Sequence, residues 1–335
     1  MGIGICGRGV IVKLEVIVQN KENKKAYDIS NIVKKISITT YLEIKPSKVE
    51  IDMIAVDTLD WIALGSLVSI KVDGHKLFLG YIFKFDYDED NNASFVAYDQ
   101  MRYLAYKDTL MLNSMSSAEV FTTMCKRFNL KHSVESKCTY KLPARVCEEK
   151  TGADIIEYAI SQTLSEKGVW QFLEDEYGTL KLKDTKDYQI GLAIGDSSLL
   201  SSFSYEESID DETYNYIKLV KENKETNKRD VYIQKDSESI SKWGMLPYYE
   251  KVSDNMKDAQ IRERASLLLK YYNKEQKTLK IKQAIGDLRI KAGRSFLLTI
   301  KDLKKAIPYN QYALCVECTH TFENDTHVMD LEVYV

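Results

Sequence analysis

Proline is scarce: the 335-residue chain has four, and no Gly/Ser-rich or Pro-rich stretch occurs. That length leaves room for two or three domains. Without linker-type composition, those domains are expected to abut. No run of eighteen apolar residues exists, so no membrane-spanning helix is predicted. An excess of positive charge is missing too. With 47 Lys and Arg against 50 Asp and Glu, the net charge of −3 gives no electrostatic case for sequence-specific nucleic-acid binding. The opening "MGIGICGRGVIVKLEVIV" lacks a basic n-region and a cleavage site, and Arg8 and Lys13 interrupt its apolar tract. It is not read as a signal peptide, and the six cysteines are therefore expected as reduced thiols.

Catalytic signatures are equally lacking. No G-x-S-x-G, H-E-x-x-H or G-K-[ST] occurs. Gly2, Gly4 and Gly7 have G-x-G-x-x-G spacing, but no strand precedes them and a β-patterned run follows. Residues 1–9 are accordingly read as an N-terminal arm. Asp86, Asp88 and Asp90 match EF-hand spacing, yet Asn91 stands where a glycine is needed and Ala97 where a bidentate Glu belongs. A solvated hairpin tip accounts for them. Acidic pairs such as Glu148-Glu149 and Asp210-Asp211 fall at element edges, as chance predicts among 50 acidic residues.

Against these absences stands a strong period-two signal. Val12, Leu14, Val16 and Val18 share a face; so do Ile36, Ile38 and Thr40, and again Val49, Ile51 and Met53. Asp73-Gly74 marks a hairpin turn, and "ASFVAYD" completes the set. Residues 10–110 are thus expected to form a small barrel. The period then changes. Ser116 and Glu119 form a capping box before Val120, Phe121, Met124, Cys125 and Phe128. Thr151 and Asp154 cap a second helix striped by Ile156, Ala159, Ile160 and Leu164, with Gly168 as its stop. A hairpin with Gly178 in its turn follows, so residues 111–204 read as an α+β insert. Strands return over 205–335, interrupted by a helix at 256–272 that is expected to pack against the second barrel. The fold class is mainly β with an α+β insert, two small β-barrels flanking a helix-plus-hairpin domain. No sequence repeat links the two β regions, which are expected to remain separate sheets of similar topology.

Ligand-type residues concentrate in "CVECTHTFENDTHVMDLEVYV", which holds Cys315, Cys318, His320 and His327. A turn at Asn324-Asp325 would pair Phe322 with His327 and His320 with Met329. Strict alternation puts Cys318, His320 and Phe322 on an apolar face and turns Cys315 away. No second C-x-x-C occurs. The stretch therefore reads as a closing hairpin with its histidines at the core face, and no metal is expected. No catalytic, cofactor-binding or metal-ligating residue is assigned anywhere, and no enzymatic activity is expected.

One segment carries a family likeness. Gly65 before a strand, "VDGHKLFLG" ending at Gly80, and "VAYDQMRYL" from Val96 to Leu104 resemble the XkdQ/YqbQ proteins of defective prophages, relatives of the phage late control gene D proteins. Downstream, the helix-then-hairpin with its D-x-x-G turn (Asp175 to Gly178), "SIDDETYNYIKLV", "IKAGRSFLLTI" and "HTFENDTHVMDLEV" continue the likeness in order. The first nine residues match nothing in it. The resemblance implies a structural baseplate hub of a contractile phage tail or tailocin, built from two tube-like domains. It implies a homotrimer joining a six-fold tail tube to a three-fold central spike, touching baseplate wedge proteins, with a tape-measure protein in its channel. No membrane binding is implied. Such a chain would assemble in the bacterial cytoplasm and end in the particle's baseplate. Two other readings are a hub with peptidoglycan hydrolase activity and a different baseplate adaptor.

Overall fold

The computed structural model describes residues 13–55, 62–195, 202–210, 212–223, 228–252, 254, 256–304 and 307–335. The alternation of the first hundred residues becomes seven antiparallel strands: β1 (Leu14–Gln19), β2 (Ala26–Asp28), β3 (Val33–Tyr41), β4 (Lys48–Ile54), β5 (Leu67–Val72), β6 (His75–Tyr87) and β7 (Asn92–Tyr98). Their order is β2-β1-β5-β6-β7-β4-β3. One face buries Val16, Val18, Ile36, Ile38, Val49, Ile51, Met53, Ile70 and Phe95 in a single core. Each such side chain is worth about 1.5–3 kcal/mol when removed from water. At the β5–β6 turn Asp73 and Gly74 have φ of 49° and 78°, the left-handed pair that a two-residue hairpin requires. Val12 and the glycines of the N-terminal arm lie outside the described residues.

The period change gives a compact α+β unit: β8 (Lys107–Leu112), α1 (Ser117–Arg127), β9 (His132–Val134), β10 (Arg145–Thr151), α2 (Gly152–Lys167), β11 (Gln171–Asp175) and β12 (Leu180–Asp184). Both expected capping boxes are formed, Ser116 with Glu119 and Thr151 with Asp154. Gly168 ends α2 in the left-handed region at φ 65°. β8 and β10 make a two-stranded ribbon, while β12 lies between antiparallel β11 and parallel β9. Val120, Phe121, Met124, Ile156 and Ala159 of the helices meet Leu173, Leu180 and Leu182 of the strands in a second core.

The remaining elements are β13 (Gln189–Gly195), β14 (Ser202–Ser208), β15 (Tyr216–Asn223), β16 (Lys228–Lys235), α3 (Ser237–Trp243), β17 (Pro247–Lys251), α4 (Asp258–Tyr272), β18 (Gln276–Ile285), β19 (Ser295–Lys304), β20 (Ile307–Glu323) and β21 (Thr326–Tyr334). Two placements differ from expectation. β13, in the stretch read as the insert, pairs in parallel with β19. And the strands of 205–335 do not make one sheet: α4 packs within that stretch as expected, but its Ile261, Ala265 and Leu268 cover Ile217, Leu219 and Tyr232 of a separate sheet, ordered β16-β15-β17. A helical stripe shows which residues turn inward but not which sheet receives them.

The two β regions are not separate sheets, contrary to expectation. β3 pairs with β20 from Lys35–Glu323 to Tyr41–Glu317, and one thirteen-stranded sheet runs through both regions. The cause is the length of β20. Its first half pairs with β19 and its last seven residues extend past that partner, leaving an edge that β3 takes. Two cores persist along the joined sheet: Phe322 belongs to that of the first region, Cys318 to that of the second. Among the described residues no ladder closes either region on itself.

Candidate functional site

The closing hairpin keeps the expected register, Phe322 opposite His327 and His320 opposite Met329, around Asn324 and Asp325 at φ 49° and 57°. The placement of Cys315 is corrected. A β-bulge lies between Cys315 and Glu317, so Cys315 opposes Val333 and Glu317 opposes Glu332, with Val316 left over. One extra residue shifts the side-chain phase. Cys315 and Cys318 are consequently both fully buried in the same core. The bulge sits where β20 exchanges partners. Gly293 N–H donates to the Cys315 carbonyl at 2.9 Å and Leu42 N–H to that of Val316 at 2.8 Å.

The ligand-type side chains form a hydrogen-bonded row. His320 Nε2 lies 2.8 Å from the Ile290 carbonyl and 3.3 Å from Cys318 Sγ; its Nδ1 lies 2.9 Å from His327 Nε2. A carbonyl only accepts, so Nε2 of His320 carries the proton and His327 donates to Nδ1. Burial depresses both imidazoles to about 4, and for His320 the neighbouring His327 depresses it further. Cys315 and Cys318 are thus not held apart on opposite faces. What separates the ligands is the His320 ring itself, with Cys318 at one nitrogen and His327 at the other. Among the described residues no group of three or more His, Cys, Asp or Glu could hold a metal ion.

The other sequence candidates stay apart. Asp88 accepts from the backbone of Asp90 and Asn92 at the β6–β7 tip, and Asp86 pairs with Lys84 at 2.5 Å. Glu148 and Glu149 are exposed on the β8–β10 ribbon, Glu149 at φ 52° beside a bulge. Asp210 is exposed and Asp211 lies outside the described residues.

Among the described residues, a heavily charged buried site that the sequence did not reveal surrounds Glu174. Glu174 of β11 is contacted by Lys183 at 2.7 Å, Arg294 at 2.8 Å and Lys291 at 3.6 Å. Lys183 also bonds Glu176, and its side chain is 0 % exposed. Burial alone would raise the Glu174 carboxyl, but Arg294, Lys291 and Lys183 overcome it and hold it at about 2. Gly293, at φ 83°, presents this turn; a Cβ there would stand 2.4 Å from the Phe172 ring. Next door, Asp175 accepts from Gln100 Nε2 at 2.8 Å and from Gly178 N–H at 2.5 Å. Asp99, raised to about 7 by burial and by the Asp175 charge, accepts from Ser47 and Met101 N–H groups. Residues from the first β region, the insert and the 291–294 turn therefore meet in one polar joint.

A cleft of about 660 Å³ opens beside this joint. Trp170, Glu157, Glu317, Glu332 and Tyr334 line it. Burial raises Glu157 and Glu317, the latter further through the charge of Glu332.

This architecture is that of phage-tail proteins. The tail protein from Neisseria meningitidis MC58 superposes with a TM-score of 0.68 over 96 % of both chains at 12 % identity. Two Bacillus subtilis (strain 168) proteins align over 273 residues, 80 % of this chain and 81 % of theirs: the uncharacterized protein YqbQ at 29 % identity and the phage-like element PBSX protein XkdQ at 26 %. The model of the YQBQ-like family matches residues 36–334, and the chain belongs to that family.

Proposed function

We propose that the chain is a structural baseplate hub of a contractile tail, acting as a trimeric adaptor between a six-fold tube and a three-fold spike. The observation that carries this reading is the β3–β20 pairing, which fuses two β regions with separate cores into one sheet. Two rigidly joined regions per chain give six per trimer, which is the count a six-fold tube ring requires. Kinship with XkdQ, named as a protein of a phage-like element, supports the same particle. The partners are then the tube above, the spike below, wedge proteins outside and a tape-measure protein in the channel. Divisions at residues 9 and 110, and a third moved from 204 to the start of β13, are proposed as the borders of its working units. The chain assembles in the bacterial cytoplasm and ends in the baseplate. A reconstruction of the particle tests this: three copies on the central axis are expected. Six copies in one layer, or an off-axis station, would overturn it, the latter indicating a different adaptor.

A second reading, a hub that also hydrolyses peptidoglycan, is favoured by the carboxylates of the cleft, since glycoside hydrolysis uses an acid of raised pKa and a partner carboxylate. The adaptor reading expects no clearing of purified cell walls by the chain. Clearing that is abolished by E157Q or E317Q would establish the hydrolase.

A further inference from the structure

The sheet β16–β15–β17 buries one face under α4; on the other face the two outer strands are exposed, while Val220 at the middle is 2 % exposed. Pairing fixes what this second face carries. Val220 opposes Val231 and Lys218 opposes Ile233; across β15, Lys218 also opposes Tyr249 and Val220 opposes Lys251. Val231 and Ile233 are each 49 % exposed and Tyr249 is 57 % exposed. Val231 and Ile233 form an exposed apolar edge on β16, and Lys218 separates them from Tyr249 on β17. Lys218, Arg229, Lys235 and Lys251 lie on the same face by register. Among the described residues Glu222 is the one carboxylate with them, and it is bonded to Lys251 at 2.6 Å.

We propose that this face docks another protein, one that presents apolar side chains interspersed with carboxylates. Charge decides the occupant. A second copy set face to face would oppose these cations to one another. An anionic membrane would satisfy the charge, but the paired residues of this face include none of the Trp, Phe or Leu that anchor a chain in the interface. A flat protein surface bearing carboxylates beside apolar side chains satisfies both the charge and the shape. The inference rests on the chain belonging to a tail particle, because the partner is then another protein of that particle.

The test uses V231C in the full chain, with I233C as a second site, reacted with a charged maleimide as free protein and within assembled particles. Rapid labelling of the free chain and labelling at least about tenfold slower in particles are expected, as at the dry centre of an interface. K218E/K235E should keep the parent melting temperature yet fail to enter particles. Equal labelling in both states would overturn the inference while leaving the hub reading intact. Equal protection by phosphatidylglycerol vesicles would overturn a protein partner. Absence of the chain from particles would overturn both readings together.

Discussion

The sheets β11–β12–β9 and β16–β15–β17 follow one plan. Each has a central strand with an antiparallel neighbour on one side and a parallel neighbour on the other, and each packs one face under helices. Their second faces also begin from similar material, an apolar residue among charges: Phe172 with Glu174 and Lys183 in one, Val231 and Ile233 with Lys218 in the other. The outcomes diverge. The first is sealed against the 291–294 turn because Arg294 and Lys291 complete its charge set. The second has four cations and a single carboxylate, and its outer strands remain exposed. A mixture of charge and apolar surface does not by itself mark solvent; what decides is whether the complementary charge is supplied from elsewhere in the chain.

The largest test of this contrast is E174Q. It leaves Lys183 and Arg294 buried without their common carboxylate, and urea unfolding should show a loss of about 3–5 kcal/mol. A loss below about 1 kcal/mol would mean that the joint is solvated and the two faces are alike. R264M probes the other unit, where Arg264 of α4 contacts Glu166 of α2 at 2.5 Å and Glu250 of β17 at 3.0 Å. Both carboxylates keep some exposure, so a smaller loss of about 1–3 kcal/mol is expected by the same measurement.

Acidification should separate the hairpin from the joint. The folded imidazoles of His320 and His327 sit at about 4 against 6.5, so protonation favours the unfolded chain; their contribution is full above 6.5 and falls as pH drops towards 4. Glu174 sits at about 2 against 4.5, so its contribution is full above 4.5 and is lost towards pH 2. Asp99, at about 7 against 3.8, adds stability as pH falls through the same upper window and partly offsets the histidines. The melting-temperature difference between the parent and H320Q/H327Q should therefore fall between pH 6.5 and 4, while the Glu174 decline below 4.5 is common to both. The smallest effect is expected from V231T on the open face, within about 0.5 kcal/mol in the free chain. A larger loss would show that the face is covered by its own chain.

Local grammar was legible. The capping boxes of α1 and α2, the Asp73-Gly74 turn and the register of the closing hairpin each depend on residues within a few positions of one another. Membership of the prophage-tail family was legible through the order of such local pieces. What sequence did not reveal is non-local. The bulge at Val316 has no residue signature, because Val, Glu and Cys all suit an unbroken strand. Lys181 and Lys183 alternate with Leu180 and Leu182 as on any half-wet strand, so the complete burial of Lys183 depends on a turn more than a hundred residues away. Likewise, nothing in the stripe of α4 distinguishes one receiving sheet from another.

The β3–β20 seam also bears on how the chain comes into being. Thr39 and Thr319 face each other across it, 280 residues apart, with hydroxyls at 2.9 Å. At a synthesis rate of roughly 5–20 residues per second, β3 waits about 15 s to a minute for its partner to leave the ribosome. Throughout that interval its outer edge offers unpaired N–H and C=O groups, the template on which another nascent chain could pair. Lys34 and Lys35 at the head of β3 are the charges that discourage such mispairing, and Lys35 reaches Glu323 at 3.9 Å only once the seam has closed. Yield in the cell should thus be limited by the time between making the first third of the protein and making its last strands, rather than by the stability of the finished sheet.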